Sequence, residues 1–493
     1  MDLLGRGRQL YRELVALAVE EGFQLTEEAL RVLQERENPV DDLLKTIAML
    51  KEQSPDAVVI GVADIERACM EQAHAVPPPP EDNPPQQTTC TAVMSIDESY
   101  RIEGSIAEFQ QYFLSRYHGI RRILEKRRLN FIPAAELYAL RDGEEAQFVG
   151  ILQSRQEYGG GLRLELDDPS GNITVYVSKK NSQLYTQASE LLNDVVVGLR
   201  VRRVGNILSL KDIIYPDVEE NSQQTHPPAD ISICLISDVH VGSKHFRRDL
   251  FEKFLDWLNR GRDGEVKRVR YLVIDGDLVE GVGVYPGQER DLVYRNVEEQ
   301  MREAGKLLEE VPEHVEVFYI PGNHEPVRRA IPQPPLQERY RVFFALRQRI
   351  NFTSNPTLLV VDGRSLLIYH GQGLDEVIQS MPDISYSSLQ TTATKVVTAL
   401  LKFRHLAPVY GGNTQLLPTH EDKLVIYEKP YLLQTGHIHV TVNTVYHGVK
   451  LVNTGAWQDQ TEYQKAAGLE PVVGYAALVD LGKNSVVFKY FGG

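Results

Sequence analysis

Asp238 and His240 are the residues whose types and spacing most clearly suggest chemistry. They follow the apolar run 231–236, which is typical of a buried strand. Side chains two positions apart in an extended chain point the same way, so the carboxylate and the imidazole can converge just past the strand end, where open α/β sheets place their ligands. Oxygen and nitrogen donors together suit a divalent transition metal, although a bare Asp-x-His pair is more often an ordinary loop hydrogen-bonding pair.

Four further motifs in the C-terminal half also come at the ends of apolar runs. They are Asp275-Gly276-Asp277, Gly322-Asn323-His324-Glu325, His370-Gly371 and Gly436-His437-Ile438-His439. The candidate oxygen donors are Asp238, Asp277 and Asn323, and the candidate nitrogen donors are His240, His370, His437 and His439. These seven donors suffice for two metal ions that share one carboxylate. The mixed donor set favours manganese, iron or zinc over magnesium, which stays an alternative.

The ordered series Asp-x-His, Gly-Asp, Gly-Asn-His-Glu, His and Gly-His-x-His resembles the pattern of the calcineurin-like metallophosphoesterases, and no ligand position departs from it. The resemblance implies two metal sites bridged by Asp277, one held by Asp238, His240 and His439 and the other by Asn323, His370 and His437. It also implies that His324 is catalytic, lying over the scissile phosphate rather than binding metal. Two ions roughly 3.5–4 Å apart would clamp a phosphodiester and acidify a water for in-line attack.

Composition limits the classes of protein that this chain can be. With 493 residues the chain is too long for one ordinary core, so two or more domains are expected. The formal net charge of −15 means that a nucleic-acid partner would need a local basic surface or metal ions. The three cysteines have no paired spacing, which fits a reducing cytoplasm. Without a signal peptide or a long apolar run, a cytoplasmic protein with no membrane partner is expected.

The N-terminal 75 residues have the apolar spacing of helices. Leu10, Leu14 and Leu17 form one stripe, Thr26 can cap a second helix, and Pro39 suits the first turn of a third. This predicts a helical module over 1–75, which either docks a partner or is simply a helical bundle. A proline-rich stretch follows, and it predicts a linker over 76–100.

Residues 101–220 predict a helix followed by a small β-barrel. Ser105 and Glu108 form a capping box that opens the helix. Its basic residues are expected on a solvated face: Arg116, Arg121, Arg122, Lys126, Arg127 and Arg128. From Ala146 to Val218, apolar and polar residues alternate in short strands with one helical interruption, which indicates a five-stranded barrel of the OB type. Its acidic residues favour a structural or intersubunit role over binding of single strands.

The whole chain is therefore predicted to be multidomain α+β, with an α/β metallophosphoesterase domain over 230–493. The resemblance implies that this last domain is a two-sheet sandwich flanked by helices. Trp457 is expected in its core rather than as a surface for base stacking.

The order of helical module, tether, barrel and phosphoesterase resembles the small subunit of the archaeal D-family DNA polymerase. Short sequence segments support this resemblance from about Ser105 onward, at residues 237–244, 404–412 and 453–461. The resemblance implies a proofreading 3′–5′ exonuclease for DNA replication that uses manganese, acts on DNA 3′ ends and pairs with a large catalytic subunit. A sliding clamp is a further candidate partner.

Three alternatives differ in what they require of the sequence. A stand-alone DNA repair nuclease would be expected to lack the barrel and the tether. A small-molecule phosphodiesterase would not need the residues that precede position 230. A non-catalytic scaffold subunit of a polymerase would be expected to have lost metal ligands, as the eukaryotic B-subunits that share this architecture have done, and none is lost here.

Overall fold

The computed structural model describes residues 3–34, 36, 39–53, 58–66, 90–92, 102–220, 229–345 and 347–492. The chain divides into two compact units, Met1–Thr88 and Thr89–Gly493, and each is described by itself. Within the described ranges, no helix combines the length and apolar character that a membrane span requires.

The described residues of the first unit form three helices, a further helical stretch over 62–66 and a pair of short parallel strands. The helices are Leu3–Glu20, Glu27–Gln34 and Pro39–Gln53, and the strands are β1 (Gln24–Leu25) and β2 (Val59–Ile60). Thr26 Oγ1 accepts a hydrogen bond from the Ala29 N–H at 3.1 Å, as its capping role requires. Leu14 is buried in the core and Leu10 and Leu17 are packed against it. The strand pair was not predicted, because two residues are too few to show an alternating pattern. Asn38 and the proline-rich stretch lie outside the described residues.

The second unit contains the remaining helices and strands. Its helices are Ile106–Glu125, Ser182–Ser189, Arg248–Arg260, Val297–Leu308, Glu338–Arg341, Leu374–Ser380, Leu389–Lys402 and Glu462–Ala467. Its 3₁₀ turns are Ala134–Ala139, Val266–Arg268, Gln288–Arg290, Arg347–Arg349 and Tyr386–Ser388. Its strands are β3 (Cys90–Ala92), β4 (Glu145–Tyr158), β5 (Gly161–Asp168), β6 (Gly171–Ser178), β7 (Val196–Val204), β8 (Ile207–Ile214), β9 (Ser232–Ile236), β10 (Val269–Asp275), β11 (Glu316–Ile320), β12 (Ile350–Phe352), β13 (Thr357–Val361), β14 (Arg364–Ile368), β15 (Leu432–Thr435), β16 (Thr441–Tyr446), β17 (Val449–Thr454), β18 (Tyr475–Asp480) and β19 (Ser485–Tyr490).

A closed five-stranded barrel of order β4-β5-β6-β8-β7 confirms the barrel that the alternating sequence predicts. Leu162, Leu164 and Leu166 of β5 are all buried, as side chains on one face of a strand should be. β4 pairs with both β5 and β7, and a register shift between Leu152 and Ser154 interrupts its ladder with β5. Such an irregularity bends a long strand, which lets β4 pair with both of its neighbours around the closed barrel.

Two six-stranded sheets form the C-terminal part of this unit. Their orders are β12-β11-β10-β9-β18-β19 and β16-β17-β15-β14-β13-β3. One buried core contains side chains from both sheets, among them Leu235, Val273, Ile368 and Leu432. The helices Arg248–Arg260 and Val297–Leu308 contribute to a second core with the first sheet. The result is a sandwich of two sheets with helices outside.

Strand β3 departs from the predicted linker over 76–100. Cys90, Thr91 and Ala92 pair antiparallel with β13 at the edge of the second sheet. Main-chain hydrogen bonds can add an edge strand whatever its side chains are, so a segment this short leaves no recognisable pattern in the sequence.

Arg116 corrects the prediction of a solvated basic face on helix Ile106–Glu125. Its side chain is buried, and its Nε donates to Asp422 Oδ2 at 2.8 Å. The position falls one helical turn after Tyr112 and one turn before Ile120, both buried, so it shares their face. The charge of Arg116 suggested a solvent-exposed side chain, but its position in the helical repeat directs the side chain to the buried face.

Asp422 also binds a neutral histidine. The Ala407 N–H donates to His405 Nδ1 at 3.1 Å, so His405 Nε2 carries the proton and donates to Asp422 Oδ2 at 2.8 Å. Burial alone would raise the pKa of Asp422, but His405 and Arg116 hold it below the ordinary value. The contribution of charged Asp422 to folding stability is therefore present at neutral pH, and it is lost as the pH falls through the lowered pKa of this carboxyl group.

We expect Arg116→Met to destabilise the protein by about 3–5 kcal/mol, because it leaves a buried carboxylate without its cation. Denaturant unfolding at neutral pH measures the change. Arg122→Met, at a more accessible position of the same helix, is the matched control and should change stability by less than about 0.5 kcal/mol. Equal effects of the two substitutions would contradict the role assigned to the buried ion pair.

Candidate metal centre

The predicted ligands follow the carboxyl ends of neighbouring strands. β9, β10 and β11 are parallel in the first sheet and lead to Asp238, Asp277 and Asn323. β14 and β15 are parallel in the second sheet and lead to His370 and His437. Because parallel strands present these ends at one edge, the sandwich brings both sets of loops to one cleft.

The backbone at most of these positions is strained. The φ angles lie between 50° and 66° at Asp238, His240, Asp277, His437 and His439. A residue with a side chain in this left-handed region costs about 1–3 kcal/mol and persists where the surrounding structure enforces it, commonly at functional sites. Five such residues in one cleft point to a function that needs their side chains in fixed directions.

The side chains form two groups that could each hold a metal ion. Asp238, His240 and His439 make up one group, and Asp277, His370 and His437 make up the other, with ligand atoms within 4.8 Å of one another in each. A third group, His240, Asp277 and His324, connects them. Asp277 belongs to the second and the third group, whereas the first and second groups share no residue, so its bridging role stays a prediction.

Several of the buried ligand atoms have no hydrogen-bond partner among the described residues. They are Asn323 Oδ1, Asp277 Oδ2 and His370 Nε2, and the last two lie 3.1 Å apart and form an ion pair when His370 is protonated. A buried polar atom without a partner costs about 1–3 kcal/mol, so native proteins rarely leave several together. Hard oxygen and imidazole nitrogen atoms in this arrangement fit divalent metal ions.

Electrostatics around Asp277 keep the carboxylate charged. Burial by itself would raise its pKa, but His324 and His370 lower it well below the ordinary value. His370 Nε2 lies 3.1 Å from Asp277 Oδ2. An ionised carboxylate is the form that binds metal.

The imidazoles are oriented by residues that sequence reasoning did not identify. His240 Nδ1 lies 3.0 Å from Glu280 Oε2, and His439 Nδ1 lies 2.9 Å from the side-chain amide of Gln464. His370 Nδ1 lies 2.8 Å from the carbonyl oxygen of Asp275. The acceptors opposite His240 and His370 fix the ring orientation and place the proton on Nδ1, as in metal-binding histidines. The Gln464 amide instead donates to His439 Nδ1, because its own oxygen accepts from the Thr461 N–H. Glu280 could have been suspected from its place in the loop of the Gly-Asp motif, but Gln464 carries no signal in the sequence.

Glu325 joins the loops of two motifs. Its carboxylate accepts hydrogen bonds from the N–H groups of Asp277 and Leu278 at 3.0 and 2.8 Å, and from the Gly322 N–H at 2.7 Å. The Tyr319 hydroxyl donates to it at 2.7 Å. The acidic residue after Asn-His therefore holds the strand ends of β10 and β11 in register at the cleft.

His324 lies beside the ligand groups. Its Nδ1 is 2.5 Å from the carbonyl oxygen of Glu280, so this nitrogen carries the proton. Its Nε2 then lies 3.8 Å from Asp277 Oδ2 and lines the cleft, which has a volume of about 300 Å³. The role of His324 over a substrate stays a prediction. Trp457, by contrast, is fully buried, as expected.

His437 has a carboxylate partner of its own. Its Nε2 lies 3.0 Å from Asp375 Oδ2, which leaves Nδ1 for a metal ion. Asp375 stands at the start of helix Leu374–Ser380 and also accepts from the Tyr386 hydroxyl at 2.7 Å. Nothing in the sequence near Asp375 indicates this contact.

We expect Asp375→Asn to weaken manganese binding by about 10- to 100-fold, because His437 loses the charge that orients its ring. Titration calorimetry of the full-length chain measures the affinity. Asp383→Asn makes the same change at an exposed position and should leave the affinity unchanged. Wild-type affinity in Asp375→Asn would show that this contact does not support the centre.

Comparisons with known proteins place the chain among replication proteins. Residues 233–441 match the family of the DNA polymerase alpha/epsilon B-subunits. The DNA polymerase II small subunit of Methanothermobacter thermautotrophicus is 36% identical over 388 residues, which are 77% of this chain and 78% of that protein. That of Archaeoglobus fulgidus is 36% identical over 395 residues, 79% of this chain and 78% of that protein. A solved phosphoesterase from E. coli aligns with 53% of this chain and 100% of its own, at 13% identity and a TM-score of 0.27.

Proposed function

Because the chain belongs to the family of archaeal DNA polymerase II small subunits, we propose that it is the proofreading 3′–5′ exonuclease of a heterodimeric DNA polymerase. A small subunit implies a large one, and in this proposal the large subunit synthesises DNA. This chain removes mispaired nucleotides from the 3′ end. The large subunit also contributes to DNA binding, since this chain carries a net charge of −15.

One observation carries the proposal: the described residues bring the predicted ligands into three neighbouring groups that could each hold a metal ion, and Asp277 belongs to two of them. A scaffold needs neither buried ligand atoms that make no hydrogen bond among the described residues nor five neighbouring residues with positive φ. These features cost folding free energy, so a ligand that binds there is the physical reason to keep them.

Each part of the centre has a task in phosphodiester hydrolysis. Asp238, His240 and His439 would hold one divalent ion, Asn323, His370 and His437 would hold the other, and Asp277 would contact both. Bound ions supply Lewis acidity to the phosphodiester and make a nearby water more acidic. Manganese is the ion we propose, with iron, zinc or magnesium as alternatives.

His324 supplies the proton chemistry of the chain itself. Its Nδ1–H is held by the carbonyl of Glu280, so the ring is fixed and Nε2 is directed to the cleft. In the protonated imidazolium form, Nε2–H can donate a hydrogen bond to a phosphate oxygen or pass its proton to the leaving 3′ oxygen. Both tasks stabilise charge that develops as the bond to the leaving oxygen breaks.

A mismatched primer–template labelled at the 5′ end of the primer tests the proposal. The chain is assayed with Mn²⁺, alone and with the large subunit. A ladder that shortens from the 3′ end is expected, and its rate should rise when the large subunit is added. Cleavage of only mononucleotide or cyclic diesters would favour a small-molecule phosphodiesterase. Degradation of DNA ends that is indifferent to the large subunit would favour a stand-alone repair nuclease. No cleavage in either assay would favour a scaffold subunit.

A further inference from the structure

Two tyrosines from distant parts of the chain stack at the cleft. The rings of Tyr285 and Tyr463 have centroids 5.1 Å apart and an interplanar angle of 29°. Both residues line the cleft together with His324, Asn323 and Asp277. Tyr463 is 55% exposed, so part of its ring stays open to solvent. We call this pair the tyrosine platform.

Tyr285 is tied to the metal centre through Glu280. Its hydroxyl lies 3.0 Å from Glu280 Oε1 and 3.1 Å from Asp291 Oδ2. The other carboxylate oxygen of Glu280 lies 3.0 Å from His240 Nδ1. The ring centroids of Tyr285 and His324 are 6.4 Å apart. The carboxylate of Glu280 therefore positions both the ring of Tyr285 and the predicted ligand His240.

Tyr463 is tied to the centre through its own helix. Helix Glu462–Ala467 begins with a complete capping box between Thr461 and Gln464. The side-chain amide of Gln464 in turn lies 2.9 Å from His439 Nδ1. The capping box and the contact with His439 both hold the first turn of this helix in place. Tyr463 lies in that turn, so its position relative to the predicted ligands is also held.

We propose that the tyrosine platform receives a nucleobase next to the scissile phosphate of a DNA strand. Because Tyr285 covers one face of the Tyr463 ring, the base would stack on the other. Every base has an aromatic face, so stacking binds any sequence but requires a base that is out of its pair. The platform would thereby favour frayed or mismatched 3′ ends over paired ones. This inference rests on the proposed exonuclease function and names how its substrate is selected.

The test uses single-stranded oligonucleotides that carry one abasic position at the first, second or third nucleotide from the 3′ end. The full-length chain with its large subunit and Mn²⁺ is given each strand and its intact counterpart. We expect the wild type to have a KM about tenfold lower for the intact strand than for one of the abasic strands, which is the size of one stacking interaction. In Tyr463→Ala this discrimination should disappear at that same position.

Two control variants distinguish stacking on the Tyr463 ring from other effects of the substitution. Tyr463→Phe keeps the aromatic face and should keep the discrimination. Tyr138→Ala removes a tyrosine that is 59% exposed in another part of the second unit and should also keep it. Equal discrimination in wild type and Tyr463→Ala, or none in the wild type, would overturn the platform while the exonuclease assignment stands. Failure of the wild type to degrade any strand would overturn the proposed function itself, and the platform with it.

Discussion

Asp277→Asn is expected to lower the rate of DNA hydrolysis by roughly a thousandfold, since the loss of several kcal/mol of metal-derived stabilisation corresponds to that factor. Asp277 is the carboxylate on which two of the ligand groups depend. Asparagine has nearly the same shape but lacks the charge that two cations would share. Titration calorimetry should show the number of bound manganese ions falling together with the hydrolysis rate.

Asp256→Asn provides the control for Asp277→Asn. Asp256 lies on helix Arg248–Arg260 with a largely exposed side chain, and it pairs with Arg260 at the surface, 3.1 Å away. It undergoes the same chemical change without reaching the cleft, so both rate and metal content should stay as in the wild type. If Asp277→Asn retained the wild-type rate on mismatched primers, the bridging role would be wrong and the scaffold alternative would gain support.

His324→Ala should separate catalysis from metal binding. We expect kcat to fall by about 10²- to 10⁴-fold, the usual contribution of a positioned acid–base group. Metal affinity should change little, because the two ligand groups without His324 remain complete. Rate measurements under saturating DNA and calorimetry with Mn²⁺ on the same preparation provide both quantities.

A loss of metal affinity in His324→Ala would show that His324 binds metal. His324 also belongs to a group with His240 and Asp277 that could hold a metal ion. If metal affinity falls in parallel with kcat, His324 is a ligand and not the group over the phosphate. His118→Ala, an exposed position on helix Ile106–Glu125, shows whether removal of any histidine has such an effect.

Local patterns in the sequence determined the elements of this protein. The alternation of apolar and polar residues in β5 predicted the barrel strand, because side chains of a strand alternate between two faces. Ser105 and Glu108 predicted a helix start, and the capping box is present. The apolar runs that stop at Asp238, Asp277 and Asn323 predicted strand ends, since a buried strand must be apolar and a loop need not be.

Tertiary structure alone decided which distant side chains meet. Arg116 is buried against Asp422, Asp375 orients His437, and Tyr285 stacks on Tyr463, although no local pattern relates any of these partners. Periodicity tells which face of an element is apolar, but it does not tell which other element will cover that face. The packing of two sheets and a barrel settles that choice, because it must satisfy the volume and the polar atoms of the whole core at once.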